Sequence, residues 1–295
     1  MIRFGQFEPT SILAKVKLTM RSWDDYLIPG SQVLRNKLGI TDATELRIAE
    51  EQLVGARMIT LRTAPRQGRF DFAHFKAIHG YLFGDVYDWA GHVRTAPWDR
   101  MMTKSATDVV HFAIGDPKAP MVAYGYYPAS GIVQAQEDLH RNLASEHFLQ
   151  GLDRDEFCSR LGEYWCEINV VHAFREGNTR TQAVFFSQLA DHAGWPIDAS
   201  RFAQGQVLSA KFVAARFYGQ ATGDSARLAE VIKASLTDTP LPIDRPSSIA
   251  LQQMGLPVAQ IHELAPEPPL ADDALRSCQR PEQHGHGMSL RGLIG

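Results

Sequence analysis

Apolar residues recur at three- and four-residue spacing along most of this chain, and a chain so patterned buries them by packing helices together. Leu46, Ala49, Leu53, Ala56 and Ile59 share one face of a helix predicted over about 44–62. Phe72, Phe75, Ile78 and Leu82 mark a second that ends at Gly84, and Ile132, Ala135, Leu139 and Leu143 mark a third. Asp153 stands three residues before Glu156, the spacing of a capping box, and opens a fourth with Phe157, Leu161, Tyr164 and Ile168 on one side. A fifth runs over about 179–193 and stops at Gly194, with Pro196 barring its continuation. Two more are predicted over 207–217 and 225–236. Strand signals are few. The best lies in 101–112, where Thr103, Thr107, Val109 and Val110 are expected to form a small hairpin. The expected class is all-α with a minor β element.

The helical pattern stops near Asp238. Eight of the 16 prolines lie from Pro240 onward, and the last aromatic residue is Tyr218. A segment so poor in apolar area gains little against its ordering entropy, so 240–295 is expected to be a weakly structured tail with at most one short helix near 248–254. Residues 1–239 then form the folded domain, with a core over about 45–200. The net charge of -3 argues against bulk nucleic-acid binding. No run of about 18 apolar residues occurs to span a bilayer, and the first residues lack the apolar stretch of a signal peptide. Cys158, Cys166 and Cys278 are too few to staple the fold, so reduced thiols and a cytoplasmic location are expected.

Between the fourth and fifth helices runs His172-Ala173-Phe174-Arg175-Glu176-Gly177-Asn178-Thr179-Arg180. A helix starting near Thr179 offers unpaired amides and the positive end of its dipole to an anion. Gly177 permits left-handed angles and a close approach of the backbone to a ligand. Asn178 is expected to cap the helix and donate an amide to a phosphate, and Arg180 adds a planar fork for phosphate oxygens. Glu176 is a hard oxygen ligand for a divalent ion such as magnesium. His172 alone in the loop has an ordinary pKa suited to general-base work near neutrality. Phe174 is expected to point inward. Spacing alone leaves open a helix–loop–helix whose His172 and Arg180 merely satisfy carbonyls or carboxylates.

The segment resembles the signature of the Fic family, His-Pro-Phe-x-(Asp/Glu)-Gly-Asn-(Gly/Lys)-Arg. Leu34-Arg35-Asn36-Lys37-Leu38-Gly39-Ile40 and the stretch from Ile78 to Gly91 are similar to bacterial relatives, and Thr103-Lys104 with Phe112 is similar to the flap over their active site. The resemblance spans about residues 20–235. It implies a Fic-fold helical bundle with a β-hairpin flap, and a protein adenylyltransferase that moves AMP from ATP to a Ser, Thr or Tyr hydroxyl of a target protein. It further implies His172 as base, Glu176 as the magnesium ligand, and Gly177, Asn178, Thr179 and Arg180 as ATP-binding, with Thr103 and Lys104 as weaker ATP contacts. Ala173 stands in place of proline, Thr179 in place of the second glycine, and Ala183 where several relatives have arginine. The Doc-like branch has lysine at the position of Thr179 and transfers a phosphoryl group, which leaves that reaction, or a nucleotide-binding scaffold, as the alternatives.

Many Fic proteins are held inactive by a helix bearing (Ser/Thr)-x-x-x-Glu-(Gly/Asn), whose glutamate meets the arginine equivalent to Arg180. Thr41-Asp42-Ala43-Thr44-Glu45 comes nearest, but Leu46 follows it. Either the chain is active on its own or a separate small antitoxin supplies the glutamate in trans, and the second is the expectation. Other candidates weigh less: His284 and His286 make at most two metal ligands, His262-Glu263 lacks a zincin's second histidine, and Phe185 and Phe186 read as core.

Overall fold

The computed structural model describes residues 22–237, and within them the chain forms seven α-helices and one two-stranded sheet. All seven predicted helices form. Helix α1 (Ala43–Thr63) begins where the Asp42 carboxylate accepts the amides of Thr44 and Glu45, both at 2.9 Å, so the Thr41–Glu45 stretch is a helix cap. Helix α2 (Phe72–Phe83) is capped by Asp71, and α3 spans Ala129–Ser145. Helix α4 (Arg154–Val171) is capped by Asp153, as its sequence spacing predicts. Helix α5 (Asn178–Ala193) ends on Gly194 at φ 87°, a left-handed C-cap that glycine takes without steric cost. Helices α6 (Ser209–Thr222) and α7 (Ala226–Lys233) complete the set. The expected short helix of the tail, with Cys278, His262-Glu263, His284 and His286, lies outside the described residues.

Helix α4 is the hub and packs against α3, α5, α6 and α7. Its Trp165 is fully buried, stacked on Phe186 at 4.5 Å and met edge-on by Phe202 and Phe212. Phe185 and Phe186 are both core residues, each worth about 1.5–3 kcal/mol of burial. Cys158 and Cys166 are buried free thiols on α4, pushed by burial up to about 11 and about 12. This packing holds the α4–α5 loop rigidly at one end of the bundle.

The hairpin differs from its expectation. Strands β1 (Met102–Thr107) and β2 (Met121–Tyr126) pair antiparallel, with Lys104 opposite Tyr124. Val109 and Val110 were expected in the hairpin but follow β1 in the connection, where Val109 is buried against Tyr124 and Ala214. The second strand comes from the Tyr124-Gly125-Tyr126 segment instead. Gln220 of α6 donates to the Gly125 carbonyl at 2.6 Å and so ties β2 to the bundle, leaving β1 as the outer edge.

Candidate active site

His172 terminates α4 in a left-handed conformation, φ 50° and ψ 63°, with its N–H on the Ile168 carbonyl at 3.3 Å. Only 4% of it is exposed, and the Tyr126 ring of the flap packs against the imidazole at 4.4 Å. Burial foremost, then the charges of Lys104, Arg94 and Arg216, hold its pKa well below the usual histidine value. The ring is therefore neutral at pH 7, the state a base requires. Arg94, which the motif does not include, fixes the turn: it is 1% exposed, and its guanidinium donates to the carbonyls of His172 at 2.8 Å, Ala96 at 3.1 Å and Tyr127 at 2.5 Å.

Phe174 points inward as expected, fully buried and stacked on His79 at 3.8 Å. Gly91 N–H donates to His79 Nδ1 at 2.8 Å, which leaves Nε2–H to donate to the Glu176 carbonyl at 3.0 Å. Burial depresses His79 to about 3, so this neutral tautomer persists and ties α2 to the loop. Gly177, not Asn178, is the N-cap of α5, at φ 78°. A side chain there would also meet the Phe83 ring at 2.2 Å. The Asn178 amide differs from its expected role as well. It accepts the Phe174 N–H at 2.9 Å and donates to the Phe174 carbonyl at 2.7 Å, so its side chain staples the loop. What α5 offers an anion is backbone: the first intrahelical bond is Thr181 N–H to Gly177 C=O, which directs the amides of Asn178, Thr179 and Arg180 outward. The Thr179 side chain is exposed.

Glu176 is half-exposed at the mouth of the loop, one carboxylate oxygen on the Gly177 amide at 2.9 Å and 3.7 Å from Arg180. Lys104 and Thr103 lie exposed on β1; the neighbouring site takes part of the water from the Lys104 ammonium and so pushes it down, while Glu176 draws it and Arg216, Arg175 and Arg94 repel it, so the flap lysine stands in the same field as the loop. Arg175 stacks over Trp23 at 3.9 Å. Arg180 lies over the Phe83 ring at 4.7 Å and is ion-paired with Glu50 of α1, which also accepts the Tyr87 hydroxyl. Sequence reasoning missed Glu50. Its signal is the i, i+4, i+8 row Leu46, Glu50, Val54: the face that α1 buries is this one, and it carries a carboxylate through its middle.

Residues 69–190 match the family model described as Fic/DOC family. The chain is 34% identical over 215 residues to protein adenylyltransferase VbhT of Bartonella schoenbuchensis, covering 73% of this chain and 39% of that protein. It is 36% identical over 174 residues to the probable protein adenylyltransferase Fic of Salmonella typhimurium, covering 59% of this chain and 76% of that one. The chain belongs to the Fic/DOC family. Its Fic fold is also that of the type IV secretion system effector protein BepA, with a TM-score of 0.60 at 26% identity over 75% of this chain and 71% of that structure. The curated Fic relatives are named protein adenylyltransferases, so the activity at family level is transfer of AMP to protein. Helix α6, which brings Arg216 to the base, lies beyond the segment that the Fic model matches.

Proposed function

We propose that this chain binds ATP at the start of α5 and transfers AMP to a hydroxyl of a target protein, as its relatives' names describe. The observation that carries the reading is the convergence of a neutral buried histidine, three outward amides of α5 and an arginine within one loop. In the reaction His172 takes the proton of the target hydroxyl. The hydroxyl oxygen bonds to the α-phosphorus, the bond from that phosphorus to the bridging oxygen breaks, and pyrophosphate departs. The amides of Asn178, Thr179 and Arg180 hold the phosphate oxygens as charge develops, and Lys104 of the flap, in the field of Glu176, adds a positive charge to the site. The Glu176 carboxylate fits magnesium, which takes few protein oxygens and completes its shell with phosphates and water. No group of three His, Cys, Asp or Glu residues among the described residues is placed to hold a metal without such help. When bound, magnesium neutralises phosphate charge.

Arg180 is the proposed partner of the outer phosphates, and its ion pair with Glu50 competes with them. A small antitoxin that supplies a glutamate to Arg180 remains part of the proposal, and it would have to displace Glu50. No described helix is long and apolar enough to cross a membrane. The free thiols Cys158 and Cys166 suit the cytoplasm. Incubation with α- or γ-labelled ATP and a cell lysate tests the reading: retention of the α label on protein supports AMP transfer, and retention of only the γ label supports phosphoryl transfer.

A further inference from the structure

We propose that Arg216 of α6 is a positioning residue for the His172 base: it grips Asn169 one turn ahead of the histidine and holds an uncompensated positive charge toward the imidazole. The proposal rests on the reading of His172 as the base. Arg216 Nε and Nη2 both donate to the Asn169 side-chain oxygen, at 3.2 and 2.7 Å, and Asn169 is 1% exposed. The backbone of Asn169 faces the imidazole, and His172 closes the same turn through Ile168. Arg94 holds the turn from the other side through the His172 carbonyl at 2.8 Å. The base therefore sits between two arginines that hold its turn, Arg94 of the segment after α2 through the His172 carbonyl and Arg216 of α6 through the Asn169 side chain.

The charge is as specific as the grip. The groups that offset the burial of Arg216 are Tyr126 and Cys166. Burial raises both the Tyr126 phenol and the Cys166 thiol, the latter to about 12, so neither carries a negative charge at pH 7. Arg216 itself is lowered only to about 10 and stays charged. Facing the imidazole are Lys104 from β1, Arg94 from the loop after α2, Arg216 from α6 and the Tyr126 ring from β2, while Glu176 of the active-site loop draws Lys104. Cations around the ring disfavour imidazolium and keep the base ready to accept a proton. Because α6 also anchors β2 through Gln220, the same helix sets the base and the flap that covers it.

The test is the imidazole titration of His172 in the full chain, followed by NMR with nitrogen-labelled histidine, beside calorimetry of ATP binding. Arg216→Met removes the charge and the fork. Asn169→Asp keeps the shape of the site but gives Arg216 a carboxylate to neutralise it, and so carries the test if Arg216→Met does not fold. Both are expected to raise the His172 midpoint by about one pH unit, with Arg216→Lys close to wild type and ATP affinity unchanged in all three. If AMP transfer is measurable, the acid limb of its pH profile moves up by the same amount. An unchanged midpoint in either folded variant overturns the proposal. So does a loss of ATP affinity in Arg216→Met with the midpoint unmoved, which would make Arg216 a phosphate ligand. The titration needs no turnover, so it can fail or succeed whether or not the chain proves to transfer AMP.

Discussion

At the scale of single residues, the base and the arginine are in opposite conditions. His172 is neutral and has nothing to surrender before it takes a proton, whereas Arg180 is already engaged by Glu50. His172→Ala should therefore cut transfer by about 10²–10⁴ with ATP affinity nearly intact, since the imidazole acts on the target hydroxyl. Calorimetry and label transfer on one preparation check both halves. Glu50→Gln should tighten ATP binding roughly tenfold, about 1–2 kcal/mol, because Arg180 would then meet phosphate without a competing carboxylate. Weaker binding would mean instead that Glu50 holds Arg180 in its working geometry. The depressed His172 pKa places the acid limb of the pH–rate profile well below pH 6.5, as the base is lost only when the ring protonates. Glu50 shows in the sequence only as a carboxylate on the buried face of α1, because its pairing is tertiary: residues 50 and 180 are 130 positions apart and meet only in the fold. His172, Glu176 and Arg180 were legible because one loop contains all three.

At the scale of elements, the start of α5 and the flap carry most of the consequences. Gly177 combines a left-handed φ of 78° with contact against Phe83, so Gly177→Ala should cost about 1–3 kcal/mol and abolish ATP binding, read by thermal melting and calorimetry. β1 is the outer edge of the hairpin and exposes Thr103, Lys104 and Ser105, an arrangement suited to pairing with a target main chain. Ser105→Pro should reduce modification of a protein target more than self-modification, and equal loss of both would point to misfolding. The helices were legible from caps and stop signals, Asp153 and Gly194 above all. Strand β2 was not, because Gly125 and the small size of Ala123 weaken the alternation that Val122, Tyr124 and Tyr126 otherwise show. Asn178 was misread for a related reason: an asparagine at a helix start looks like a cap until Gly177 is seen to take that position.

At the scale of the whole molecule, the bundle buries neutral histidines that make its stability depend on pH. Burial lowers His79 to about 3 and His140 to about 4, and lowers His74 as well. Their contribution is complete above pH 6.5 and falls as pH drops toward 4, because the unfolded chain takes up protons that the fold refuses, at up to about 1.4 kcal/mol per pH unit for each histidine. His140, ringed by Phe72, Phe75 and Phe185, is the position to test: His140→Leu should flatten the fall in melting temperature between pH 6.5 and 4.5. The same rigid packing fixes the loop between α4 and α5, on which the account of function depends. The most direct measurement is label transfer from α-labelled ATP to protein by the wild-type chain and by His172→Ala, with γ-labelled ATP in parallel. AMP transfer by His172 gives α label on protein with the wild type only and no γ label with either. Equal α labelling by the variant, or γ label alone, would contradict it.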